Sequence, residues 1–251
     1  MDKMIHTALN TLNNIHMNRS VKSQNLSNIN VPGFRRDLGT SFSAGFLEQT
    51  EQFPSRVFAL HEGANIFSAK PGNIKSTGQE TDLAIKGSGF FITKPASGQP
   101  SLSRRGDLGV SGDGFLVNGA GAQMLDLNQA PITVPPFRKL VVSETGEMFI
   151  EPLGSEEGTR VALGSLATTS GSETPMKKDI DGEIRLVGGG VPAPDQNSII
   201  AQSFLEESNV NAVEELVDTL SQQRQFEINV KFITLSKEMD EGSAGIMRMP
   251  N

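Results

Sequence analysis

Three histidines, His6, His16 and His61, are the side chains here best suited to proton transfer or metal ligation near neutral pH. They show no metal-ligand spacing, and two of them fall in one N-terminal stretch of helical pattern, so they read as solvated or packed residues. There is no cysteine, which removes thiolate nucleophiles, thiolate ligands and disulfides together. Asp107, Asp113 and Asp126 could in principle hold calcium, but the spacing and terminal Glu of a calcium loop are missing, and they read as turn residues. Lys86-Gly87-Ser88-Gly89 lacks the order of a phosphate-binding P-loop. Glu156-Glu157 reads as a solvated pair in a loop, and Arg105-Gly106-Asp107 as a chance match to the adhesion tripeptide in a glycine-rich region. Glycoside cleavage needs two carboxylates facing each other across a cleft, and sugar binding usually stacks the ring on Trp or Tyr, both of which are absent. A secreted glycan-binding or glycan-cleaving β-domain is therefore the weaker of two function classes. No catalytic, cofactor-binding or metal-ligating residue is assigned. The stronger class is a structural subunit.

Bulk properties agree. The 251 residues carry a net charge of -7, against the basic surface usual for a nucleic-acid partner. Hydrophobic content is 36%, below the ~45–50% usual for globular chains. No run reaches the ~18–20 apolar residues of a membrane span, and the first residues lack the apolar core of a cleaved export signal.

Chemistry being scarce, the elements themselves become the subject. Residues from Asp2 to about Asn28 predict a helix, with Ile5, Ala8, Leu9, Leu12, Ile15 and Leu26 on one side at ~100° per residue. Its other face is rich in Asn, which competes with the backbone for hydrogen bonds, so this helix should depend on a partner. Pro32-Gly33 ends it. Residues 34–76 hold six of the fourteen Phe, including Phe42 and Phe46, and predict an extended connecting segment with a short hairpin. Those Phe dock either on the chain's own middle domain or on adjacent subunits. From 77 to 205 the pattern is β: nineteen of the 26 glycines lie between Gly78 and Gly190, separating short apolar runs. Leu140–Val142 and Met148–Ile150 flank Glu144-Thr145-Gly146 as a hairpin.

The segment 206–251 closes the chain with a long helix. Asn211, with Glu214 three residues on, starts it, and its last strong position is near Met239, before Gly242. It is apolar on two sides. Val213, Leu216, Val217, Leu220, Ile228, Phe232, Leu235 and Met239 form one stripe; Phe226, Val230 and Ile233 lie roughly opposite. The first stripe is expected to pair with the N-terminal helix through Ile5, Leu9, Leu12 and Leu26. The second is expected to meet either the β-domain or a neighbouring subunit. The fold class expected is thus α+β: residues 1–33 and 206–251 pair as an antiparallel, coiled-coil-like helical domain, and a mainly antiparallel β-domain is inserted at 77–205. Charge favours the pairing modestly. Side chains 1–33 sum to +2 (Lys3, Arg19 and Lys22 against Asp2) and 208–251 to -3 (two Arg and two Lys against seven carboxylates).

Residues 25–34, 82–91, 105–117 and 208–227, taken in that order, resemble flagellar rod and hook proteins. Asn25-Leu26-Ser27-Asn28, followed by Pro32-Gly33-Phe34, resembles N-L-A-N-x-x-T-P-G-F. Asp82-Leu83-Ala84-Ile85-Lys86-Gly87-Ser88-Gly89-Phe90-Phe91 resembles D-L-A-I-x-G-x-G-F-F. Arg105-Gly106-Asp107-Leu108 with Gly114 to Val117 is similar to the segment that follows in the family. Ser208-Asn209-Val210-Asn211, then Arg224-Gln225-Phe226-Glu227, resembles the S-N-V-N…R-x-F-E helix. Departures are Val31, where Thr is usual, Ser27 for Ala and Leu108 for Phe. The resemblance implies a subunit of the proximal rod, the distal rod being the alternative. It implies a helical periplasmic tube, homo- and hetero-oligomeric with other rod subunits, that transmits torque from motor to hook. It also implies export by the flagellar type III apparatus without a cleaved signal, and terminal segments that order on assembly. It implies no cofactor and no enzymatic activity.

Overall fold

The glycine-punctuated apolar runs become short antiparallel strands, and the two ends become helices. In the computed structural model, residues 2–39, 42–46, 56–60, 66–171, 175–179 and 181–247 are described. The class is α+β, with one helix at each end and a β-rich middle. The chain divides into two compact units: Met1–Ser27, Asp37–Ala64 and Asn211–Asn251 in one, Asn28–Arg36 and Asn65–Val210 in the other. The stretch 34–76, expected as one connecting segment, is shared between them.

The first unit holds α1 (Asp2–Ser27), α2 (Ala212–Met247) and a hairpin of β1 (Phe42–Phe46) with β2 (Arg56–Leu60), in register Phe42 to Leu60. The side chains of Ile5, Phe42 and Phe46 lie outside the described residues. The expected stop before Gly242 is corrected, because α2 runs through Gly242 and Gly245 to Met247. A glycine costs a helix only ~1 kcal/mol, which is a weak stop without a proline or a cap beside it. At 36 residues, α2 is about 54 Å long at 1.5 Å per residue.

The second unit is built on β5 (Phe90–Lys94). It pairs with β6 (Ser101–Ser103), β9 (Gln123–Met124) and β13 (Thr168–Thr169) in a sheet ordered β14-β15-β6-β5-β9-β8-β7. The remaining strands of that sheet are β7 (Leu108–Val110), β8 (Leu116–Asn118), β14 (Met176–Lys178) and β15 (Ile184–Leu186). The apolar run Phe90-Phe91-Ile92 explains why β5 is central. Successive side chains of a strand point to opposite faces. Phe91 enters a core with Leu83, Ile85, Met124, Leu140, Met148 and Ile200, whereas Phe90 and Ile92 enter another with Phe67, Leu102, Leu125 and Ile184. The expected hairpin forms as β10 (Phe137–Val142) and β11 (Glu147–Pro152), with Val142 opposite Met148; β12 (Val161–Ser165) extends it.

Two ladders lead back towards α2 in sequence. β4 (Leu83–Lys86) pairs with β16 (Ile199–Gln202), and β3 (Ile74–Ser76) with β17 (Phe204–Glu206). Between β16 and β17, Ser203 sits at φ 67°. Its N–H donates to the Asp82 carbonyl at 2.8 Å, and its carbonyl accepts from Thr77 at 3.0 Å. A non-glycine residue costs ~1–2 kcal/mol in that region. Ser203→Gly is expected to raise the stability of the β-unit by ~0.5–1 kcal/mol, read as a higher urea midpoint at unchanged slope.

Candidate assembly site

The start of α2 is built as its sequence implies. The Asn211 Oδ1 accepts from the Val213 N–H at 3.0 Å and the Glu214 N–H at 3.4 Å, capping the helix. One turn on, Glu215 is 1% exposed. Lys22 places its Nζ 3.2 Å from the Glu215 carboxylate and 2.6 Å from that of Asp218. Asn25, fully buried, donates to Glu215 at 3.4 Å, and clasps Asp37 by donating to its carbonyl at 2.9 Å and accepting from its N–H at 2.8 Å.

These partners decide which way the helices turn. The positions of α2 withdrawn from solvent are Ala212, Glu215, Asp218, Thr219, Gln222, Gln223, Asn229, Ile233, Ser236, Asp240 and Ser243, a single line at helical spacing. On α1 they are Ala8, Thr11, Leu12, Asn14, Ile15, Met17, Asn18, Val21, Lys22 and Asn25. The expected stripe of α2 is thus not its withdrawn side, whereas Ala8, Leu12 and Ile15 of the expected α1 face are withdrawn. Val213, Leu216, Val217, Leu220, Ile228, Leu235 and Met239 stand 52–69% exposed, and Phe232 is exposed with them. On α1, Leu9 and Leu26 are exposed and Leu12 is half-buried. The physical reason is the cost of leaving a buried charge without its partner, several kcal/mol, against ~0.8 kcal/mol for each buried CH₂. The ion pair at Lys22 and the Asn25 clasp set the rotation, and the apolar stripe is left outward. Ile233, of the second stripe, lies in the withdrawn line; Phe226 and Val230 stand at its edge, exposed.

Within the β-unit the motif residues form a buried joint. Val31 and Phe34 donate backbone N–H groups to the carbonyls of Asn28 and Val31, making the turn that contains Pro32. Gly33, at φ 67°, donates to the Glu206 carbonyl at 2.7 Å; a Cβ there would stand 2.3 Å from the Arg104 carbonyl carbon. Asn209 uses its whole amide: Oδ1 accepts from Arg36 N–H at 2.6 Å, and Nδ2 donates to the carbonyls of Ser68 at 3.2 Å and Lys70 at 2.8 Å. Ser208 Oγ accepts from the Val210 N–H. Asp82 is buried and bridged to Asp107, while Gly87 and Gly89 form the turn from β4 into β5. Phe34 lies under the Lys178 ammonium, 4.1 Å from the ring centroid. Phe67 packs edge-on against Phe90 with centroids 6.5 Å apart. Two of the six Phe of the connecting stretch thus dock on the chain's own β-unit.

At the centre of the joint Glu206 takes two arginines. Arg35 lies 3.0 Å and Arg104 3.1 Å from its carboxylate, and all three residues are 2–3% exposed. Arg104 also donates to the carbonyls of Ile85, at 2.9 Å, and Gly87; Arg35 donates to that of Lys70; Glu206 accepts from the Gly72 N–H at 2.8 Å. Burial pulls the Arg104 guanidinium down to about 10, with Glu206 opposing, and burial lowers Arg35 likewise. Sequence reasoning missed Arg35, Arg104, Glu206, Lys22 and Glu215. One signal was present: Glu206 sits at an inward position of the short apolar run Phe204-Leu205. The tripeptide at 105–107 is accounted for by packing, since Arg105 donates twice to Asp107 at 2.8 Å and Gly106 backs onto Leu83.

These motifs spend their side chains on turns, caps and buried joints, and α2 turns an apolar stripe outward. That combination defines a structural protein made to associate. Two family models match: residues 201–245 match the flagellar basal body rod FlgEFG protein C-terminal model, and residues 84–150 the flagellar hook protein FlgE/F/G D1 domain. The chain is 30% identical to the flagellar basal-body rod protein FlgG of Agrobacterium fabrum, over 88% of this chain and 90% of that one. It is 28% identical to FlgF of Salmonella typhimurium, over 97% of both, and 26% identical to FlgF of Escherichia coli, over 93% and 94%. The chain belongs to the flagellar basal-body rod protein family.

Proposed function

We propose that this chain is a structural subunit of the bacterial flagellar rod, in its proximal part, assembling with itself and with other rod subunits into a helical tube that carries torque from motor to hook. The observation that carries this reading is the outward stripe of α2, Val213, Leu216, Val217, Leu220, Ile228, Leu235 and Met239. Contiguous exposed apolar surface of this kind marks an interaction site. Each subunit buries the stripe against its neighbours, and Phe226 and Val230, exposed on another side of α2, meet a further neighbour. The two terminal helices form an antiparallel coiled-coil-like domain whose seam is mostly polar on its α2 side. Such a seam supplies little burial of its own, so the helices order fully only when neighbours cover the stripe. The subunit works in the periplasm, reaches it through the flagellar type III export apparatus without a cleaved signal, and catalyses nothing. A distal-rod subunit is the second reading, favoured by the FlgG relative of Agrobacterium fabrum.

The double variant Leu220→Asp/Ile228→Asp tests the assembly surface. It is expected to abolish swimming and rod assembly while the urea unfolding of the β-unit shifts by less than about 0.5 kcal/mol. Normal swimming by that variant would refute the assignment of the stripe.

A further inference from the structure

The described methionine side chains divide sharply by burial. Met124 and Met148 are 0% exposed inside the β-unit, Met17 and Met176 are half-buried, and Met239 is 63% exposed on the outward stripe of α2. Helical side chains lean back over the turn before them, so the residues three and four places on are the ones that could cover Met239. Those are Gly242 and Ser243. Gly242 has no side chain, and a Cβ added there would meet nothing within 4 Å. The Ser243 hydroxyl turns back onto the helix and donates to the Met239 carbonyl at 2.8 Å. One turn earlier on the stripe, Leu235 is itself 57% exposed. The thioether of Met239 is therefore open to small solutes, and the chain has no cysteine to react in its place.

We infer that Met239 is a site of oxidation by hydrogen peroxide, and that its sulfoxide disables the stripe for assembly. The thioether sulfur attacks one peroxide oxygen as the O–O bond breaks. Sulfur gives up two electrons and keeps that oxygen as the sulfoxide, and the other oxygen leaves as water. The product replaces a flexible apolar side chain with a polar one. Buried against an apolar neighbour, its oxygen is an acceptor without a donor. The chemical step rests on exposure alone, whereas its effect on assembly rests on the reading of the stripe under Proposed function. Subunits are sensitive before they join the rod and protected afterwards, because the contact that needs the thioether also covers it.

The test has two arms. In the first, the full-length chain is treated with hydrogen peroxide, digested and followed by mass spectrometry. Met239 is expected to gain oxygen at least about tenfold faster than Met124 and Met148, and a smaller ratio overturns the inference. In the second, basal bodies are counted in cells carrying Met239→Gln, a neutral polar side chain of similar length, or Met239→Leu. At least about threefold fewer are expected with Met239→Gln than with Met239→Leu. Equal numbers overturn the inference. Alongside blocked assembly in Leu220→Asp/Ile228→Asp they leave the stripe standing, and alongside normal assembly in that variant they sink the stripe as well.

Discussion

Glu206→Gln is expected to destabilise the β-unit by about 3–5 kcal/mol, because the variant keeps the shape of the side chain and removes its charge. Arg35 and Arg104, both nearly inaccessible to solvent, then face each other with no protein carboxylate between them. A domain of ordinary stability holds about 5–15 kcal/mol, so the loss is a large fraction of the whole. Urea unfolding followed by far-ultraviolet circular dichroism reads it directly. The double variant Glu206→Gln/Arg104→Gln removes one of the two uncompensated cations and is expected to recover part of the loss. A cost for the single variant below about 1 kcal/mol would show that solvent or relaxation neutralises the cluster, and that the joint is not held by charge.

The second large effect comes from a single methyl group. A Cβ at Gly106 would stand 1.8 Å from the Leu83 carbonyl oxygen, and Leu83 donates its own N–H to the Gly106 carbonyl at 2.9 Å. The two backbones are paired face to face with no room for a side chain, and the obstructing atom belongs to a ladder that cannot swing aside. Gly106→Ala is expected to cost about 3 kcal/mol or more, at the upper end of overpacking effects. Gly109→Ala is the matched control. It lies in β7, and a methyl group added there would meet nothing within 4 Å. That substitution should change stability by less than about 0.5 kcal/mol. Equal effects at the two positions would mean that the close approach at 83 and 106 does not hold the ladder.

Much of the architecture is legible from periodicity. The hairpin at 144–146, the apolar run at 90–92 and the two terminal helices all follow from spacing and from turn residues. Rotation of the helices does not. A helical wheel shows that α2 has two apolar sides, but it cannot tell that Lys22, Asn25 and Glu215 will be buried against each other, because charged residues are assigned to solvent by default. Once that contact forms, the longer stripe must face outward. The joint at 33–36 and 206–209 was visible only as motif. Its Asn and Gly residues are marked by resemblance, whereas the physical reasons appear only when the backbones of distant segments meet: Asn209 against Ser68 and Lys70, Gly33 against Arg104. Arg35 and Glu206, 171 positions apart by subtraction of their numbers, carry no local signal of pairing.

The central claim is that the stripe of α2 is exposed in the subunit and covered in the rod. The sequence contains no cysteine, so a single Val217→Cys variant reports on that surface alone. Maleimide labelling of Val217→Cys, measured in the free subunit and in isolated basal bodies, tests the claim most directly. Protection of at least about tenfold in basal bodies is predicted, corresponding to ~1.4 kcal/mol or more against exposure of the assembled surface. Equal labelling rates in the two states would contradict the account.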